Sequence, residues 1–166
     1  MSQALATKQR ERFELPWDFS VWTDAPSLLA GIIAEVDSLD WDNPALQEIL
    51  RANPTFQPRY LLVLITYAYA IGVFESEEVA LLPLHDNAVQ ARFPREEASF
   101  KAITRFRRDH RGLLKWTLSQ CFKRVLRERF QLGNTPIPVG VRRALVEAAS
   151  SRLDLARHVD RSSHAE

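Results

Sequence analysis

Cysteine is nearly missing from this chain: Cys121 stands alone among 166 residues. One thiol cannot close an internal disulfide, and its isolation fits a reducing compartment. Glycine is sparse too. The five glycines, at 31, 72, 112, 133 and 140, are each isolated, so no glycine-rich loop is present to cradle a phosphate. The four histidines, at 85, 110, 158 and 164, lack metal-ligand spacing, and HExxH, CxxC and GxSxG are all missing. No metal or other cofactor is therefore expected, and a catalytic reading has no constellation to rest on. Long hydrophobic runs are missing as well. The longest uncharged stretch, Tyr60 to Phe74, has 15 residues, short of the ~20 that cross a bilayer. It reads as a buried core helix, and no membrane association is expected. The opening MSQALATKQRERFELP has no apolar signal core, so the expected location is cytoplasmic.

What the chain does have is a charge dipole. Residues 92–129 carry 12 basic and 4 acidic side chains, while residues 1–91 carry 5 basic and 13 acidic ones. The overall charge of +1 conceals a segment of +8 beside one of −8. Such asymmetry points to a polyanion partner for the basic half; the plainer alternative is a solvated helix surface.

No stretch alternates as a set of strands, so the expected fold is all-α, with about six or seven helices packed around the Tyr60–Phe74 helix. Residues 1–25 read as an extended arm that lays aromatic side chains over the core. Pro26 sits in the first turn of a helix expected to reach about Leu39, with Leu28, Leu29, Ile32, Ile33 and Val36 on one stripe. Asn43 and Pro44 start a second helix, and Asn53 to Pro58 forms a turn before the apolar helix, which Gly72 ends. Asp37, Asp40 and Asp42 read as solvation of a helix end. Ser76 reads as the cap of the next helix, followed by a short helical turn. Ser99 or the Glu96-Glu97 pair starts the basic helix. There Phe100, Ile103, Phe106, Arg107 and His110 share a packing face, and Lys101, Arg105 and Arg108 lie opposite. Arg107 is expected to reach a carboxylate of the acidic half, and His110 to face the core. A break at Arg111-Gly112 is expected before a helix over Leu113–Phe130, with Leu114, Leu118, Cys121, Phe122 and Val125 as its buried stripe. Residues 131–166 read as a linker, one helix from about Val139 to His158, and a disordered tail from Asp160.

The order of parts resembles the N-terminal, InsH-like helical domain of bacterial insertion-sequence DDE transposases. The residues that carry the likeness are Asn53-Pro54-Thr55-Phe56-Gln57-Pro58-Arg59-Tyr60, then Tyr69-Ala70-Ile71-Gly72, then Ser76. Ser99 and the run Arg105-Phe106-Arg107-Arg108-Asp109-His110 complete it. The likeness covers roughly residues 12–125, with 26–130 as the corresponding domain. In that family a ribonuclease-H-like domain follows and holds the catalytic Asp-Asp-Glu triad; residues 131–166 offer no counterpart. The resemblance therefore implies binding of double-stranded DNA at transposon ends without strand-transfer chemistry. Ser76–Ala91 and Glu97–His110 would form a helix-turn-helix-like pair with the second helix as reader. Lys101, Arg105 and Arg108 are the expected DNA contacts, with Arg92, Arg95, Arg111 and Lys115 adding phosphate contacts. Ser99, Phe106, Arg107 and His110 are the structural part of the motif. The alternative is a protein-interaction or assembly module, pairing with itself as a homodimer or with a full-length transposase.

Overall fold

The computed structural model describes residues 14–52 and 57–163. The start of the arm, the Asn53–Phe56 part of the turn and the last three residues lie outside that range. A short 3-10 turn at Phe19–Val21 precedes eight α-helices: α1 Ala25–Asp37, α2 Pro44–Ala52, α3 Pro58–Ala70, α4 Ser76–His85, α5 Asn87–Arg92, α6 Phe100–Asp109, α7 Arg111–Arg129 and α8 Val139–Ser163. Among the described residues the expected all-α architecture is observed, with eight α-helices rather than about six or seven. Among the described residues, no helix is long and apolar enough to cross a membrane.

Local chemistry explains the first three helix starts. Asp24 Oδ1 accepts from Ser27 N–H at 2.9 Å, with Pro26 in the first turn. Asn43 Oδ1 accepts from Ala45 N–H at 2.9 Å, just ahead of Pro44. Pro58 opens α3. Proline fits these first-turn positions because its missing N–H would have no intrahelical acceptor there. α3 is the axis of the fold. Every residue from Leu61 to Ala70 is buried, which matches a helix apolar on all sides. It packs on α1, α4, α6 and α7, and α8 lies along α7. Gly72 turns the chain away at φ 87°, a left-handed conformation that glycine adopts without steric cost.

Where it is described, the arm is not extended throughout: it winds through the 3-10 turn, covers the core with Phe19 and leaves Trp17 62% exposed. Phe19 is fully buried and stacks on Phe122 with ring centroids 4.2 Å apart. Trp22 meets Phe130 edge-on. Leu114, Leu118, Cys121, Phe122 and Val125 are all buried, as their spacing requires. Burial pushes the Cys121 thiol up to about 12, so it stays protonated and shielded at neutral pH. A thiol reagent at pH 8 is thus expected to label native protein very slowly and denatured protein at once. Equal rates in the two states would contradict this placement.

Four expectations are corrected. Ser76 does not cap α4; Glu75 is the capping residue, and its side chain makes no capping bond. Ser76 instead donates both its backbone N–H, at 2.8 Å, and its hydroxyl to Asp160. Asp160 thereby caps α4 from the far end of the sequence. The second correction follows from the first: residues 160–163 are helix, and Asp160 is buried rather than part of a disordered tail. Third, Arg107 does not reach the acidic half. Its Nη2 pairs with Asp160 Oδ2 at 2.7 Å, both side chains being more than nine-tenths buried. Fourth, the break before α7 falls at His110 (φ −127°, ψ 36°), not at Arg111-Gly112. Gly112 lies in the first turn of α7, in open space.

A second buried cation fastens the arm. Arg152 of α8 is 2% exposed. Its guanidinium donates to the carbonyls of Tyr69 and Ala70 at the C-terminal end of α3, and to those of Pro16 and Trp17 in the arm. A cation suits that position because the last carbonyls of a helix lack partners and carry its negative pole. Burial draws the Arg152 pKa down to about 10, which leaves the side chain charged at neutral pH.

Candidate nucleic-acid interface

α6 is the helix that presents the basic segment. Ser99 caps it, its Oγ accepting from Ala102 N–H at 3.2 Å. Ile103, Phe106 and Arg107 are buried on a helix that packs against α3, α4 and α7. Lys101, Arg105 and Arg108 are exposed. At i, i+4 and i+7 they fall within about 60° of one another around the helix axis. Ten residues at ~1.5 Å each make a rod of about 15 Å, so the three cations form a short stripe on one edge. α4 and α6 pack together, and Ala98 N–H donates to Ala80 O at 2.9 Å. They are joined by α5 and the loop after it, a longer connection than the 3–4-residue turn that defines the tight form of the motif.

The remaining basic residues divide by what holds them. Arg111 is drawn to α8, its Nη2 lying 2.8 Å from Asp154 Oδ1. Arg124 pairs with Glu35 of α1 at 2.9 Å, and Arg127 donates to the carbonyls of Gly133 and Thr135. Arg124 and Arg127 are thus engaged within the fold, while the Arg111–Asp154 pair is partly exposed. Among the described residues Arg108 pairs with its neighbour Asp109, at 3.0 Å with 70% of the arginine side chain exposed. Such an exposed pair contributes little and yields readily to a phosphate. Arg92 and Arg95 are exposed, and Arg92 borders a separate cleft beside Glu96 and Glu97. Lys115 is half-buried on α7. His110 lies edge-on to Phe106 at 4.7 Å. Burial lowers its pKa below the usual 6.5, against the opposing pull of Asp109, so it adds no charge to this surface at neutral pH.

Sequence reading missed two arginines here. Arg157 and Arg161 of α8 line a cleft of about 400 Å³ together with Arg107, Arg108 and Arg111. Their i, i+4 spacing places them on one side of a helix, but they sit where the sequence reads as a helix end and a tail. Among the described residues, no three or more His, Cys, Asp or Glu side chains gather closely enough to hold a metal ion. No family model, curated protein or solved structure matches the chain.

Proposed function

We propose that this chain binds double-stranded DNA through the exposed edge of α6, and that it does so as a transposase-derived helical domain without catalysis of its own. The observation that carries this is the stripe of Lys101, Arg105 and Arg108. It lies on a helix whose opposite face is locked by Ile103, Phe106 and the Arg107–Asp160 pair. Rigid placement of several cations along one edge is what a row of phosphates requires. The Ser99 cap and the buried Phe106 and Arg107 are what hold that edge in place. A transposon end is the target that the sequence resemblance implies.

The protein-interaction alternative would use the acidic half and α7. The apolar stripe of α7 is already covered by α1, α3 and α8, which favours the DNA reading. Replacing Lys101, Arg105 and Arg108 together with alanine is expected to weaken duplex binding about tenfold or more at 50 mM salt. The log–log salt dependence should become shallower by about 2.7, which is three phosphate contacts at about 0.9 each. The melting temperature should change little, because all three side chains are exposed. Unchanged duplex affinity in the triple variant would overturn the assignment.

A further inference from the structure

We propose that the cleft between α6, the start of α7 and α8 is a phosphate-binding site. Five guanidinium groups line it, from Arg107, Arg108, Arg111, Arg157 and Arg161, against one carboxylate, Asp160. That carboxylate is already engaged by Arg107 and by Ser76. The Asp154 carboxylate holds Arg111 from the side, and among the described residues Arg108 has its exposed neighbour Asp109 as its one ion-pair partner. Among the described residues, Arg157 and Arg161 take part in no ion pair.

Like charges gathered in one concavity repel one another, and the fold gains nothing from them in this arrangement. A bound anion reverses that sign. Arg107 supplies the second, independent observation. Its side chain is 7% exposed, and its Nη2 serves Asp160. Its Nε and Nη1 are buried with no hydrogen-bond acceptor among the described residues. Buried N–H groups of a cation are almost always paired, because leaving them unpaired is costly.

The chemistry of the set selects the ligand. A carboxylate satisfies one arginine fork. A tetrahedral phosphate offers more acceptor oxygens and up to two charges, and matches converging guanidinium groups bidentately. The phosphate comes either from a nucleic-acid backbone or from a small phosphorylated compound. The two sources share the same chemistry at the cleft.

The test uses the full chain and inorganic phosphate at constant ionic strength, with chloride as the balancing anion. Phosphate is expected to raise the melting temperature of the parent by about 2–4 °C once it exceeds its dissociation constant several-fold. It should leave the Arg157→Ala/Arg161→Ala variant unmoved. Both side chains are exposed, so that variant should fold, and without phosphate it should melt no lower than the parent because repulsion has been relieved. No phosphate effect on the parent, or an equal effect on the variant, overturns the proposal. A duplex-binding arm separates the sources. A backbone source is indicated if phosphate competes with DNA and the variant loses DNA affinity. Phosphate binding with DNA affinity unaltered indicates a small phosphorylated ligand. Because phosphate binding is read without DNA, failure of this site and failure of the α6 assignment are distinguishable.

Discussion

Asp160→Ala is expected to destabilise the fold by about 3–5 kcal/mol, the usual cost of leaving one member of a buried ion pair without its partner. For a chain of this length that lowers the melting temperature by roughly 6–20 °C. Three losses coincide. Arg107 loses its carboxylate, the Ser76 N–H and hydroxyl lose their acceptor, and α4 loses the side chain that caps its first N–H, since Glu75 makes no capping bond. Arg107→Ala should cost less. Asp160 would still accept two hydrogen bonds from Ser76, at the positive pole of α4, whereas the Asp160 variant leaves Arg107 with no acceptor among the described residues. Replacing both, as Arg107→Met with Asp160→Leu, should recover part of the loss, since apolar substitutes for a buried pair are often tolerated. Recovery would be incomplete because Ser76 remains unserved. Chemical denaturation of the four proteins checks the order. Equal stability of the Asp160→Ala variant and the parent would contradict this role for Asp160, and so would a greater loss in Arg107→Ala.

The second large effect is expected at Arg152. Arg152→Ala removes the donor shared by carbonyls at the end of α3 and in the arm, and should cost about 2–5 kcal/mol. Arg152→Lys should restore less than half of it, because a single ammonium cannot reproduce a planar fork serving several acceptors. The arm provides a local readout. Trp17 and Phe19 both lie within 5.3 Å of the Arg152 guanidinium, so loss of that group should loosen residues 14–22 ahead of the rest. Limited proteolysis should then cut the arm of the variant much faster than that of the parent under native conditions. Identical cleavage rates, together with an unchanged denaturation midpoint, would remove Arg152 from this role.

These two residues also mark the limit of what the sequence discloses. Features that depend on neighbours a few positions away were legible. Pro26, Pro44 and Pro58 announce helix starts through their missing N–H. The run from Tyr60 to Phe74 announces the central helix, and the spacing of Leu114, Leu118, Cys121, Phe122 and Val125 announces the buried side of α7. The two faces of α6 followed from a wheel alone. Contacts between distant parts of the chain were not legible. Ser76 meets Asp160 across 84 positions and Tyr69 meets Arg152 across 83, and no local pattern encodes such pairings. A weak signal did exist. Arg152 falls on the apolar stripe of α8 with Leu145, Ala149 and Ala156, where a charge is out of place unless it is paired. Asp160 continues that stripe four residues after Ala156, but its polar surroundings read as tail. Gly112 misplaced the break before α7 for a related reason. Glycine is costly inside a helix, yet in a first turn it gives up little, and the bend itself belongs to His110. On the candidate interface, the exposure of Lys101, Arg105 and Arg108 was readable from periodicity. The withdrawal of Arg107 and Arg111 toward α8, and the arrival of Arg157 and Arg161 beside them, depended on where α8 packs.

The most direct test of DNA binding through α6 is fluorescence anisotropy of the full chain with a mixed-sequence duplex at 50 and 200 mM salt. Three to five phosphate contacts, from the α6 stripe with or without Arg92 and Arg95, give an expected slope of about −2.7 to −4.5 in log affinity against log salt. Over that range affinity should then fall about 40- to 500-fold. No binding at 50 mM, or binding that salt leaves unchanged, would contradict the DNA reading and turn attention to the acidic half as a surface for a protein partner.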